Sequence, residues 1–236
     1  MKKNNPLINI LIRTSGRPRY FEQCIRSIKN QIYKNYKIHI TYDNKTDYEY
    51  IENHIGSNDS LIFQNKIDRT KKINFPYNLY INKLYKNINS GWIIFLDDDN
   101  KLVSKHSLTI ISKYLTDNNN LVIWKVKLFD KIIPLNSFNI KPTLYDIDSS
   151  NFTFHSQFKD KYGLWDGNKC ADFRVIEALY QNLPRTVWID EIIAESQREH
   201  IYGGKGQRDD FNHRISLYSK IYIRLKIIIW KLFKRN

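Results

Sequence analysis

Cysteine and glycine are scarce in this sequence, and long uncharged apolar runs are missing. Its 236 residues include 2 Cys and 8 Gly. Cys24 and Cys170 lie far apart in the chain, which excludes a disulfide scaffold and a zinc ribbon. No apolar run reaches membrane-spanning length without charges, and the stretch Met1-Lys2-Lys3-Asn4-Asn5-Pro6 lacks the apolar segment of a signal peptide. We therefore expect a cytoplasmic protein with reduced thiols.

Positive charge, by contrast, is abundant. The formal net charge is +14, from 38 Lys and Arg against 24 Asp and Glu. This balance favours anionic partners, which include nucleotides, nucleic acids and anionic membrane surfaces. The basic residues do not gather with aromatic residues into a recognisable nucleic-acid-binding module, so we expect no nucleic-acid partner. A hydrophobic content of 42% is ample for a folded core.

Apolar runs alternate with helical patterns along the first 130 residues. The runs that read as strands are 7–12, 37–42, 60–64, 92–96 and 121–129. The segments with helical spacing of apolar residues are 20–28, 49–55, 77–88 and 104–115. A further helix begins at Asp172, and a last strand follows at 186–193. The alternation predicts a mostly parallel, doubly wound sheet with crossover helices.

Three consecutive carboxylates, Asp97, Asp98 and Asp99, directly follow the apolar run Ile93-Ile94-Phe95-Leu96. Adjacent carboxylates repel one another and need a positive partner, such as a divalent cation, Arg or Lys. A strand that ends in acids can hold a hard metal ion against a phosphate. A solvated acidic turn explains this stretch equally well when it is considered alone.

Other polar residues follow neighbouring strands of the predicted sheet. Asp43 ends the second strand, and a basic loop with Arg13, Thr14 and Arg17 follows the first. Because the carboxyl ends of parallel strands meet at one edge, these side chains should lie near the three acids. The combination favours a metal and nucleotide site over a solvated turn.

These parts together resemble glycosyltransferases of the GT-A fold, and most closely those of the family 2 type. The opening strand and loop, Ile8-Asn9-Ile10-Leu11-Ile12-Arg13-Thr14, resembles the family's first strand. The run Cys24-Ile25-Arg26-Ser27-Ile28-Lys29-Asn30-Gln31, followed by Tyr33-Lys34-Asn35-Tyr36, is similar to its "L-x-S-I-x-x-Q-x-Y-x-N" pattern. The segment from Ser90 to Asp99 resembles its "G-x-x-I-x-F-L-D-x-D" motif. The resemblance covers residues 7 to 130 well and the rest loosely.

The resemblance implies an α/β, GT-A (nucleotide-diphospho-sugar transferase) fold: a mostly parallel, doubly wound sheet with a small antiparallel part and a C-terminal helix. Residues 1–212 would form one catalytic domain, with a nucleotide-sugar-binding half at 7–130 and an acceptor-binding half at 131–212. Residues 213–236 would form a basic amphipathic helix. The apolar face of 215–233 could rest on a membrane surface or pack on the domain.

The implied function is metal-dependent transfer of a sugar, hexosyl or deoxyhexosyl, from a nucleotide-diphosphate donor. A UDP-sugar is the expected donor, and the acceptor would be a hydroxyl of a glycan or glycolipid. Mn²⁺ or Mg²⁺ would be bound by Asp99, with Asp97 and His200 as further ligands. The residues expected to bind the nucleotide sugar are Arg13, Thr14, Arg17, Asp43, Arg69, Asp97, Asp98 and Lys205.

An inverting transferase needs a general base for the acceptor hydroxyl. The resemblance places Asp172 in this role, with Asp166 as the competitor, although Asp172 could also be a plain N-cap or a first-turn acid that interacts favourably with the helix dipole. Trp165 would stack on the acceptor sugar. A sugar nucleotidyltransferase is the alternative function, but the loop after the first strand contains only Gly16, and those enzymes usually have a Gly-rich loop there.

Overall fold

A nine-stranded β-sheet organises residues 5–197, which are the residues that the computed structural model describes. The strands are β1 (Ile8–Thr14), β2 (Tyr36–Tyr42), β3 (Ser60–Phe63), β4 (Trp92–Phe95), β5 (Asn100–Leu102), β6 (Asn120–Leu128), β7 (Lys131–Ile133), β8 (Phe152–His155) and β9 (Arg185–Ser196). The α-helices are α1 (Pro18–Lys29), α2 (Tyr48–Glu52), α3 (Tyr80–Leu84), α4 (Ser107–Ser112) and α5 (Ala171–Asn182).

The strand order along the sheet is β3-β2-β1-β4-β8-β6-β9-β5, and β7 pairs with the edge of β6. Strands β1 to β4 pair in parallel, as the alternation of strands and helices predicts. Strand β8 is inserted antiparallel between β4 and β6. Strands β6 and β9 are again parallel, and the antiparallel pairings β4–β8, β6–β8, β6–β7 and β5–β9 extend over only two or three residue pairs each.

Both faces of the sheet are covered by apolar residues, which explains why β1 and β4 are continuous apolar runs. Ile8, Ile10 and Ile12 of β1 pack with the apolar face of α1 on one side. Leu11 points to the other side, where it joins apolar residues of α3 and α5. This is the pattern of a parallel strand that is buried on both faces.

Several elements differ from the sequence-based expectation, and two of them border the polar edge of the sheet. The helix expected at 77–88 is divided into 3₁₀ turns at Pro76–Leu79 and Tyr85–Asn87 with α3 between them. Strand β5 was not predicted, because its three residues are too few and too polar to show a pattern. It becomes a strand through antiparallel pairing of Asn100 with Ser196 of β9.

The part of the chain from 5 to 197 contains no helix that is both long and apolar enough to cross a bilayer. The predicted amphipathic helix at 213–236 lies outside the described residues. The division into a donor half at 7–130 and an acceptor half at 131–212 stays a prediction.

Candidate active site

Asp97, Asp98 and Asp99, here called the acid turn, lie where the carboxyl ends of β1 and β4 meet. The register pairs Leu11 of β1 with Phe95 of β4. Beyond that pair, two strand-like hydrogen bonds join Leu96 N–H to the Leu11 carbonyl at 3.0 Å and Asp98 N–H to the Arg13 carbonyl at 3.4 Å. The acid turn and the loop after β1 are therefore held side by side, as the sequence predicts.

Arg13 forms a two-point ion pair with Asp97. Its Nε and Nη2 donate to Asp97 Oδ1 and Oδ2 at 2.8 and 2.6 Å. Its remaining Nη1 donates to Asn78 Oδ1 at 2.9 Å. The guanidinium also lies over the rings of Trp165 and Tyr77, with its carbon 5.1 and 5.6 Å from their centroids. Two-point pairing of this kind fixes orientation as well as charge.

Arg17 bridges the other two acids. Its Nε donates to Asp98 Oδ2 at 3.0 Å, its Nη2 pairs with the second oxygen of that carboxylate, and its Nη1 donates to Asp99 Oδ2 at 2.7 Å. The side chains of Asp98 and Asp99 are 0% and 1% exposed. Burial raises the pKa of Asp98 to about 7; Arg17 opposes the shift and Asp99 adds to it.

Thr14 faces inwards. It is 4% exposed, and its hydroxyl lies 2.9 Å from the hydroxyl of Tyr50 and also hydrogen-bonds Asp98. The hydroxyl of Thr14 is thus hydrogen-bonded within the protein, and its contact with a nucleotide stays a prediction. Its role is to support the acid turn.

The predicted metal ligands do not fit a metal ion in this arrangement. Asp99, the expected direct ligand, is bonded to Arg17, and both oxygens of Asp97 accept from Arg13. A small hard cation such as Mg²⁺ is held by one or two carboxylates, at about 2.0–2.1 Å, with waters and substrate phosphates as its other ligands. Within residues 5–197 there is no cluster of three or more His, Cys, Asp or Glu side chains that could hold one. In this arrangement Asp97 and Asp99 are arginine-paired carboxylates; their role as metal ligands stays a prediction, and no reaction step is derived through a metal.

Asp172 lies in the first turn of α5 and belongs to the same cluster of charges. Burial raises the pKa of Asp172 to about 7, and the charge of Asp148 raises it further; the Phe173 N–H and Arg13 oppose the shift. The residue that precedes α5 is Cys170, in a left-handed conformation with φ 61°, so Asp172 is not the N-cap. A half-buried carboxyl group with a pKa near 7 suits a general base.

Asp166, the competing base, has a structural role. Arg174 of α5 donates from Nη2 to Asp166 Oδ1 at 2.6 Å and from Nε to the other oxygen. The Asn168 N–H also donates to Oδ1, at 2.8 Å. The hydrogen bond from Arg174 lowers the pKa of Asp166. In this arrangement the carboxylate joins a turn to a helix, and its catalytic role stays a prediction.

Trp165 does not offer a face to an acceptor sugar. It is 4% exposed and meets Phe95 edge-on, with ring centroids 5.1 Å apart. Its ring also supports the guanidinium of Arg13. In this arrangement the residue belongs to the core beneath the site, and its stacking on a sugar stays a prediction.

The remaining nucleotide-binding candidates differ in position. Asp43 follows β2, is half-buried and accepts a hydrogen bond from the Tyr80 hydroxyl at 3.1 Å. Arg69 is exposed on the segment between β3 and the turn at Pro76. The acid turn is paired with Arg13 and Arg17, and not with Arg69.

Gln197 was missed in the sequence although it ties β9 to the acid turn. Its N–H donates to the carbonyl of Asp99 at 2.8 Å. Its side-chain amide nitrogen lies 3.1–3.2 Å from the carbonyl oxygens of Tyr20, Asp98 and Asn100. No sequence signal marks a residue that acts through backbone carbonyls.

Gln197 is the last described residue, so the candidates His200 and Lys205 lie outside the described part of the chain.

Asp47 was also missed. It is 2% exposed and accepts a hydrogen bond from the Gly16 N–H at 2.8 Å, which fixes the loop that carries Arg17. Gly16 has φ 61°, a left-handed conformation that glycine adopts without strain. An acid next to a predicted short helix gave no hint of this contact.

Comparison with known proteins identifies the fold. No protein-family model matches the chain, and no curated protein matches its sequence. TarS from S. aureus in complex with UDP-GlcNAc superposes with a TM-score of 0.63 and 15% identity over 84% of this chain and 59% of that chain. TarS in complex with UDP superposes with a TM-score of 0.64 and 15% identity over 80% of this chain and 60% of that chain.

A third structure is the mannosyltransferase PcManGT from Pyrobaculum calidifontis in complex with GDP-Man and Mn²⁺. It superposes with a TM-score of 0.61 and 14% identity over 82% of this chain and 57% of that one. The chain thus spans 57% to 60% of the length of these structures. The similarity confirms the predicted α/β, GT-A-like glycosyltransferase fold.

Proposed function

We propose that this chain is a glycosyltransferase that moves a sugar from a nucleotide-diphosphate donor to a hydroxyl of a glycan or glycolipid, with inversion. The observation that carries the proposal is the position of Asp172: a carboxyl group with a pKa of about 7 lies among Arg13, Asp97 and Asp148. The fold adds support, because proteins that share it have been solved with UDP, UDP-GlcNAc and GDP-Man.

Asp172 is the general base in this proposal. Its carboxylate would accept the proton of the acceptor hydroxyl while that oxygen attacks the anomeric carbon and the nucleoside diphosphate departs. A base is most effective when its pKa lies near the working pH, because it is then both ionised and basic. Burial and the neighbouring Asp148 supply that pKa.

Asp43 is the proposed contact for the base or ribose of the donor. It follows β2, which pairs with β1, so it lies at the same sheet edge as the acid turn. Ligands of open α/β sheets bind outside the carboxyl ends of the strands. A UDP-sugar remains the expected donor, and GDP-sugars belong in the same trial.

The charges of Arg13 and Arg17 are already matched by the acid turn. Two guanidinium groups face three carboxylates, so this cluster has no spare positive charge for a diphosphate. A positive charge from another residue must therefore bind the departing nucleoside diphosphate, and Lys205 stays the residue predicted to supply it. A peripheral membrane contact through 215–233 also stays a prediction.

A panel of UDP-, GDP- and dTDP-sugars tests the proposal, with each melting temperature and each rate of nucleotide release measured in Mn²⁺ and in EDTA. We expect one donor to stabilise the protein and to release nucleoside diphosphate when an acceptor is added. Asp172→Asn should lower turnover by about 10²–10⁴-fold and leave donor binding intact. The matched control Asp166→Asn should keep turnover. Release of pyrophosphate instead would indicate a nucleotidyltransferase, and no response to any donor would end the proposal.

A further inference from the structure

Arg17 lies where a divalent cation would have to lie to bind the acid turn. Its Nη1 is 2.7 Å from Asp99 Oδ2, and its Nε is 3.0 Å from Asp98 Oδ2. A metal ion about 2.0–2.2 Å from the same oxygens would be crowded and repelled by the guanidinium. One cation or the other can hold this pair of carboxylates.

The pair needs such a cation because it is closed to water. Asp98 and Asp99 are 0% and 1% exposed, and a buried carboxylate without a positive partner is costly. Arginine suits two carboxylates at once, since its planar guanidinium presents donors in several directions and stays charged at any working pH. The Arg17 side chain is itself only 18% exposed.

The backbone around Arg17 is fixed before any ligand binds. Gly16 turns the chain with φ 61°, and its N–H is held by the buried Asp47. Pro18 then opens α1, and the Phe21 N–H donates to the Arg17 carbonyl at 3.0 Å. The backbone of Arg17 is therefore held at the start of α1, directly beside the acid turn.

We propose that the Arg17 guanidinium takes the place of a divalent metal ion at this site. The guanidinium binds both Asp98 and Asp99, and the acid turn has no affinity for Mn²⁺ while Arg17 is present. The relevance to a nucleotide donor rests on the proposed function. The ion pairs themselves exist without a donor, so they can be tested without one.

Mn²⁺ binding to the donor-free, full-length protein tests the proposal. Binding would be measured by electron paramagnetic resonance and by the melting temperature in MnCl₂ and in EDTA. For the wild type we expect equal melting temperatures in both buffers. Arg17→Ala should melt lower in EDTA and regain stability in MnCl₂, with Mn²⁺ bound at least ~10-fold more tightly than by the wild type.

Two variants serve as controls. Arg26→Ala removes another arginine of α1 whose ion pair with Glu22 is exposed, and it should behave as the wild type in both buffers. Arg17→Lys keeps a positive charge at the acid turn and should keep Mn²⁺ affinity low. A gain of affinity in Arg17→Ala alone supports replacement of the metal by this arginine.

Either of two results would overturn the proposal. One is tight Mn²⁺ binding by the wild type that Asp99→Asn abolishes, which would show that a metal displaces Arg17. The other is a folded Arg17→Ala protein with no gain in Mn²⁺ affinity. If Arg17→Ala folds in neither buffer, the comparison of the wild type with Asp99→Asn decides alone, and absence of Asp99-dependent binding supports the proposal. Because no nucleotide is used, failure here is distinct from failure to find a donor.

Discussion

Asp172→Asn should make the protein more stable at neutral and alkaline pH while it removes the proposed base. The folded protein raises the pKa of Asp172 from its ordinary value of 3.8 to about 7, chiefly through burial. Ionisation of this group therefore costs more in the folded state than in the unfolded chain. Asparagine has no charge to bury, and its side-chain oxygen can still accept from the Phe173 N–H.

The pKa shift sets the size and the pH dependence of the effect. Below pH 4 the carboxyl group is protonated in both states, and the substitution should change little. As pH rises through the interval from 4 to 7, only the unfolded chain loses the proton freely, so the wild type loses stability. With about 1.4 kcal/mol per pH unit, the difference should reach about 1.5 kcal/mol at pH 5 and up to about 4 kcal/mol at pH 8.

Thermal denaturation of both proteins at pH 5 and pH 8 measures this difference. A chain of this size gains about 2–4 °C in melting temperature per kcal/mol, so Asp172→Asn should melt about 8–16 °C above the wild type at pH 8. The control is Asp166→Asn, in which the pKa of the replaced group is lowered by Arg174, so no stabilisation is expected. The reasoning would be refuted if the difference in melting temperature between Asp172→Asn and the wild type did not change with pH. It would also be refuted if Asp172→Asn melted below the wild type at pH 8.

Three further substitutions follow from the contacts of the site. Trp165→Ala should destabilise the fold by about 3–5 kcal/mol in urea denaturation, because the ring is core, and an unchanged midpoint would contradict that core role. Arg13→Lys should cost about 1–3 kcal/mol in the same assay, since the two-point pair with Asp97 is lost, and equal stability would contradict that pairing. Asp43→Asn should weaken binding of UDP in calorimetry about 10-fold without a change in melting temperature, and unaltered affinity would remove Asp43 from the donor site.

The polar sheet edge at the carboxyl ends of β1 and β4 could be predicted from the sequence, because local patterns specify it. Apolar runs without alternation indicate strands buried on both faces, and the polar residues that follow them must meet at one edge in a parallel sheet. This logic correctly brought Arg13 and Arg17 to Asp97, Asp98 and Asp99. The order of elements also sufficed for the fold class.

The partner of each side chain was decided only by the tertiary structure. The sequence allowed a metal ion, Arg or Lys between the acids, and the choice depends on where Gly16 and Asp47 aim the Arg17 side chain. Trp165 and Asp166 likewise stand beside each other in sequence, yet one enters the core and the other binds Arg174.

The sequence by itself thus determined the sheet, its polar edge and the residue types found there, since these depend on spacing along the chain. Tertiary structure decided the burial and pairing of each charge, because both depend on neighbours far along the chain, as in Arg13 and Asp97, which are 84 residues apart. The pKa of Asp172 is the clearest case. An acid at the start of a helix is ordinary in sequence, and only burial beside Asp148 gives it the pKa of a base.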